Sequence, residues 1–348
     1  MAIIDKPSDY FVSNLHTGNG GTQNITSLDF QADLIWIKQR NEAQNNRLID
    51  SVRGNTKEIF SDLTTAEQTL TNGITAFNSN GFGLGSSNGY NKNSGTYVTW
   101  NWKAGTSFTN DASATGIGSI DSTGSFNNDS GFSIVSYTGT GSAGSIKHGM
   151  NIAPKMVIVK SRSGTGEWIT WHTGINIQAK LSLNTTDAIY NPGSGIYWNS
   201  TLPTSSVFSV GTSGSVSGNG TTYIAYCFAD VQGYSKFGSY APNGNADGNF
   251  IYTGMSPAFV MIKNTNTTRD WVMYDNKRPI PNSASKVLEA NTSDAESTLD
   301  LDIDLLSNGF KLRGAAGNIN TSDGVNYIYM AFAENPFVAS NFVPTTAR

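Results

Sequence analysis

The sequence predicts an all-β protein made of three tandem β-sandwich repeats, jelly-roll-like, each of roughly a hundred residues. Three observations predict it. Turn-forming residues punctuate the whole chain, short strand-like runs lie between them, and one ordered set of landmarks occurs three times.

The 348 residues include 37 Gly, and seven Asn-Gly pairs run from Asn19-Gly20 to Asn308-Gly309. Asn-Gly tolerates the positive φ that tight hairpins need. No stretch carries a sustained helical or heptad period. Disorder is excluded despite the Gly, Ser and Asn content, because 7 Trp, 14 Tyr and 17 Phe are too many for a chain that stays solvated.

Each set of landmarks opens on a turn-rich segment, at 16–20, 137–141 and 240–244. An apolar run ending in lysine follows: Leu34 to Lys38, Met156 to Lys160 and Phe259 to Lys263. These runs are apolar at every position before the lysine, as strands covered on both faces are. Eight residues beyond each lysine stand Asn46, Trp168 and Trp271. Phe82, Phe208 and Phe310 come next, and then a closing run: Tyr97 to Trp102, Tyr223 to Phe228 and Tyr327 to Phe332. Period-two alternation places Val98, Trp100 and Trp102 on one face, matched by Ile224, Tyr226, Phe228 and by Ile328, Met330, Phe332. That face is the expected core. Cys227, on the opposite face, is expected to be a small buried packing residue.

The expected boundaries are an N-terminal arm plus first repeat at 1–103 and a Gly/Ser/Asn-rich linker at 104–131. The second repeat follows at 132–229, the third at 230–337 and a C-terminal tail at 338–348. Repeats of this size are expected to fold as separate beads, with the second and third held rigidly together by their short join around Asp230 to Ser235. The segment before Ser13 reads as either a docking arm or the first strand.

Composition narrows function. Only 14% of residues are charged and the net charge is −4, which argues against a nucleic-acid partner. No apolar run is long enough for membrane insertion by a helix, and no basic-then-apolar leader is visible at the start. One cysteine forbids an intrachain disulfide. His16, His148 and His172 occupy unrelated places in the repeat, and no nucleophile elbow, zinc motif or phosphate loop accompanies them. The chain therefore reads as a non-enzyme without a cofactor.

Three candidates remain. Asp300, Asp302 and Asp304 alternate along one strand face, where added loop carbonyls could hold Ca2+; a solvated edge-strand face is the favoured reading. Asp50-x-x-Arg53 and Asp275-x-x-Arg278 share one repeat position, where the second copy has His172 and Ile175, and read as surface ion pairs that fix a turn. Tyr190, Tyr197 and Trp198, in a Gly/Pro/Asn-rich loop, and Trp171 nearby are the candidate glycan or receptor contacts, because sugars stack on exposed rings.

Several longer motifs carry a resemblance: Tyr97 to Gly105, Gly131 to Gly139, Tyr223 to Gly238, Ser307 to Leu312 and Ala331 to Phe337. In these the chain resembles a family of repeated, functionally uncharacterised β domains of marine tailed bacteriophages. The resemblance implies a virion protein, assembled in the host cytoplasm, with other virion proteins as partners. A tail or fibre component contacting a host surface glycan is the leading expectation. A head-decoration or tail-collar protein and a glycan depolymerase are the alternatives. Both a homotrimer and pseudo-threefold packing within one chain fit three copies.

Overall fold

The computed structural model describes residues 3–278 and 282–321, with 324, 326–339, 341 and 343, and excludes the side chains of 299 and 300. It is an all-β protein of three principal sheets, each with an outer layer, and its ladders are antiparallel. Among the described residues no helix is long and apolar enough to cross a membrane.

The three sheets share one inner strand order. In the first, Phe11–Thr17 lies beside Thr96–Trp102, then Leu34–Gln39, Arg47–Asp50 and Lys57–Phe60. The second runs Phe132–Thr138, Thr222–Phe228, Met156–Ser161, Ile169–His172, Leu181–Ser182. The third runs Ser235–Tyr240, Tyr327–Pro336, Met255–Asn264, Trp271–Asp275, Ala284–Glu289. Register agrees as well. Trp102 pairs with Leu34, Phe228 with Met156 and Phe332 with Phe259.

Each lysine-ended strand is buried on both faces, for a reason visible in its surroundings. One face meets an outer layer: Ile35, Ile37 and Ile49 pack with Ile25, Phe82 and Leu84 in the first unit. In the third, Val260 and Ile262 pack with Ile251, Phe310 and Leu312. The other face meets the remaining sheets. Leu34, Trp36, Trp100, Ile158, Tyr226, Met261 and Met330 belong to one continuous apolar cluster drawn from all three. Its centre is a triangle of aromatic rings at equivalent positions. Trp102–Phe228, Phe228–Phe332 and Trp102–Phe332 centroids lie 6.1, 5.9 and 5.5 Å apart.

That shared cluster corrects the expectation of separate beads, because the inner faces of the three sheets pack on one another in it. The expected linker at 104–131 is also corrected. Thr106–Asn110 and Ser122–Asn127 form a hairpin that extends the second sheet beyond Phe132–Thr138. Its Gly and Ser supply turns and close strand approach rather than slack. The segment before Ser13 packs on its own chain: the Ile4 amide donates to the Gln232 carbonyl at 3.3 Å, and Phe11 stacks on Phe332 at 5.0 Å. The C-terminal tail at 338–348 lies mostly outside the described residues.

Candidate functional site

The polar residues singled out in the sequence form a buried belt where the sheets meet. Asp50 Oδ1 accepts the Val52 and Arg53 amides at 3.1 and 2.9 Å, and its Oδ2 takes Arg53 Nε at 2.5 Å. The same Oδ2 accepts the Tyr226 hydroxyl of the second sheet at 2.7 Å. Asp275 repeats the arrangement. Its Oδ1 accepts the Lys277 and Arg278 amides, both at 3.0 Å, and its Oδ2 takes Arg278 Nε at 2.6 Å and Trp100 Nε1 of the first sheet at 3.1 Å. His172 does the equivalent work with a ring. Its Nδ1 accepts the Gly174 amide at 2.9 Å, so Nε2 carries the hydrogen and donates to the Tyr329 carbonyl of the third sheet at 3.1 Å.

One atom of each residue thus fixes its own turn, and a second bonds the neighbouring sheet. The turn-fixing expectation holds; the surface expectation does not. Both ion pairs are fully buried. A buried pair that loses one member leaves an uncompensated charge, so its removal costs far more than that of a surface pair.

The contacts run in a cycle. Asn46 Nδ2 donates to the Glu289 carbonyl at 3.0 Å, Trp168 Nε1 to the Phe60 carbonyl at 2.7 Å and Trp271 Nε1 to the Ser182 carbonyl at 3.0 Å. The buried lysines follow the same direction. Lys38 Nζ reaches the Ser293 carbonyl at 2.7 Å, Lys160 Nζ the Thr64 carbonyl at 3.3 Å and Lys263 Nζ the Thr186 carbonyl at 2.8 Å. First leans on third, second on first and third on second, in every set.

Electrostatics follows from this burial. Burial pushes the three lysine amines down to about 8, and it pushes His148 and His172 down to about 4, which keeps both imidazoles neutral at pH 7. It raises the Cys227 thiol, so the packing role expected for this buried residue stands. Asp62 is raised to about 6 by burial.

The expected aromatic site divides. Trp171 and Trp198 are each only 3% exposed, and Trp198 Nε1 donates to the Ala179 carbonyl at 3.0 Å. Neither ring is open to a sugar, which corrects the expectation that this loop presents its tryptophan outward. Tyr190 is 54% exposed and meets Tyr197 edge-on with centroids 6.4 Å apart. Lys180 Nζ sits 5.8 Å from both ring centres and also pairs with Glu167, so the chain's own ammonium lies against the two rings.

The acidic strand is corrected too. Ser297–Leu306 is flanked by Ala284–Glu289 and Gly309–Leu312, so it is not an edge strand. Asp302 Oδ2 accepts the Ser283 hydroxyl at 2.6 Å and Asp304 Oδ2 pairs with Arg313 Nε at 2.5 Å. The side chain of Asp300 lies outside the described residues. Among the described residues no three His, Cys, Asp or Glu side chains come together as a metal would need.

Sequence reading passed over Phe250 and Tyr252, which alternate on an outer strand and are 44% and 60% exposed. Three large apolar residues in a row carry no polar–apolar alternation, so the sequence did not show which of them faces outward.

These features define a class: an all-β protein of three sheets closed on one another by a buried polar belt around an aromatic centre, with exposed rings at its periphery. The chain matches the family described as "Domain of unknown function (DUF7483)" over residues 6–336, and it belongs to that family. The match spans all three sheets. No protein of curated function matches the sequence.

Proposed function

We propose that this protein is a non-enzymatic structural and adhesion component of a tailed-phage virion, placed in the tail or a fibre. The observation that carries the reading is the cyclic closure of three sheets on the Trp102–Phe228–Phe332 triangle. Such closure gives a stiff body without a disulfide, which suits a particle assembled in a reducing cytoplasm and then released. The motif resemblance to phage β domains points the same way. The buried ionisable groups support a structural role, since each is held by the packing rather than presented to a cleft. The sparsely charged exterior weakens unspecific electrostatic sticking while leaving hydroxyl and amide groups for recognition.

Immunogold labelling of purified particles tests the placement. Label on the tail or fibres is expected; particles that lack the protein overturn the reading. Incubation with host polysaccharide tests the non-enzymatic half, and release of new reducing ends would replace it with a depolymerase.

A further inference from the structure

The three outer layers carry one strand each to the same position. Gln23–Ile25 pairs with Gly81–Leu84, Gly144–Lys147 with Val207–Val210, and Phe250–Tyr252 with Gly309–Leu312. Opposite Phe82, Phe208 and Phe310 stand Ile25, Ile146 and Ile251, and all six side chains are buried. Alternation turns the residues on either side of each isoleucine outward. In the first unit these are Asn24 and Thr26, in the second Ser145 and Lys147. In the third they are Phe250 and Tyr252, two of the most exposed large apolar side chains among the described residues.

Packing does not demand rings there, because the other two units place polar side chains at the same register. The two rings share one strand face, roughly 7 Å apart along the chain. Their strand is the outermost of the eight-stranded third sheet, so among the described residues no further strand pairs with its outer edge. Beside Tyr252 opens a cleft of about 350 Å3 lined by Asp230, Gln232, Lys236, Thr253 and, as an apolar wall, Phe337. Its charges are balanced. Asp230 Oδ2 accepts Lys236 Nζ at 2.8 Å while its Oδ1 holds the Phe237 amide, also at 2.8 Å. Across the strand from Phe250, Lys311 is paired with Asp247 at 2.8 Å.

We propose that this edge of the third sheet binds a neutral polysaccharide. Aromatic faces accept the apolar C–H faces of pyranose rings, and the adjoining carboxylate, amide and ammonium groups bond hydroxyls. Locally cancelled charge gives no attraction to a polyanion or a polycation, so the fitting ligand is an uncharged, hydroxyl-rich chain. The site gives the adhesion half of the proposed function a place and a ligand class, and it rests on that half alone.

Affinity electrophoresis of the full chain in native gels cast with dextran, laminarin, mannan or galactan, and with alginate as the charged control, tests the site. Retardation by at least one neutral polymer, and none by alginate, is expected. The double variant Phe250→Ala/Tyr252→Ala should lose that retardation at least tenfold with an unchanged melting temperature, whereas Tyr190→Ala should keep it. No retardation by any neutral polymer, retardation that survives the double variant, or retardation by alginate alone would overturn the proposal. So would self-association that the double variant abolishes without any polysaccharide binding, which assigns the rings to a protein contact. Retardation by a protein absent from particles would sink the virion placement and leave this site standing; a protein present in particles without retardation does the reverse.

Discussion

Two of the three sheet-to-sheet junctions hold ion pairs at their turn positions, and at the third those positions are neutral. Where the second sheet leans on the first, Asp50, Arg53 and Glu67 meet Arg162 and Tyr226. Where the first leans on the third, Asp275, Arg278 and Glu296 meet Arg40 and Trp100. Where the third leans on the second, the same places hold His172, Ile175, Ile189, Thr265 and Met330. Yet one backbone bond occurs at all three: the amides of Glu67, Glu296 and Ile189 donate to the carbonyls of Arg162, Arg40 and Thr265 at 2.9, 2.7 and 2.8 Å. Geometry is therefore carried by the backbone and by donors aimed at carbonyls, while the side-chain chemistry of a junction is free to change, provided all its members change together.

The largest expected effect breaks a charged junction halfway. Asp50→Ala or Asp275→Ala strands a buried guanidinium and should destabilise the protein by about 3–5 kcal/mol, measured by denaturant unfolding. His172→Ala, at the neutral junction, loses hydrogen bonds but strands no charge, and about 1–3 kcal/mol is expected. Equal losses at the two kinds of junction would erase the distinction.

Converting the whole junction sharpens it. Asp50→His, Arg53→Ile, Glu67→Ile, Arg162→Thr and Tyr226→Met together copy the neutral chemistry onto the first–second contact. The combined variant should be more stable than Asp50→Ala alone, because replacing every member removes the stranded charge. A combined loss larger than that of the single variant would show that side-chain chemistry, not backbone geometry, holds the cycle.

Acid addresses the two most strongly shifted histidines, of which His172 stands at the neutral junction and His148 lies within the second unit. Burial keeps the folded-state His148 and His172 at about 4, against about 6.5 unfolded, so between those values the unfolded chain binds more protons. Stability should fall as pH drops from about 6.5 to 4, by on the order of 3 kcal/mol per histidine. Asp62, raised to about 6, works the other way: between about 6 and the ordinary carboxylate range the folded chain holds a proton that the unfolded chain has released, so its contribution grows as pH falls. Chemical denaturation of His172→Gln across this range should show a shallower decline; an unchanged slope removes His172 as its source.

The smallest effect lies at the rim. Arg40 and Glu296 form a two-point pair at 2.9 and 3.0 Å, with the arginine 20% exposed. Arg40→Ala should cost about 1 kcal/mol, and less at high salt. Thr265→Ala, at the matching place in the neutral junction, should show no salt dependence.

Much of the fold was legible because strand periodicity and turn chemistry act over a few residues. The lysine-ended runs, the closing strands and the inward row of Trp100, Tyr226 and Met330 all followed from alternation. The candidate site was legible only in part. Tyr190 is exposed as expected, but Trp198 and Trp171 are buried, since a Gly-rich loop says nothing about which way an indole turns once its N–H finds a carbonyl. Asp50 and Arg53 were found by their spacing and misplaced at the surface, because the Tyr226 hydroxyl that buries them lies 176 residues away.

The sequence by itself determined strand identity, the inward face of each sheet and the buried fate of Cys227, because period two and side-chain volume are local properties. Tertiary structure alone decided that the three sheets share one core, that residues 104–131 extend a sheet, and that Phe250 and Tyr252 stand uncovered. Each of those depends on which surfaces meet, and contact between distant segments is set by the summed burial of whole faces rather than by any short run of residues.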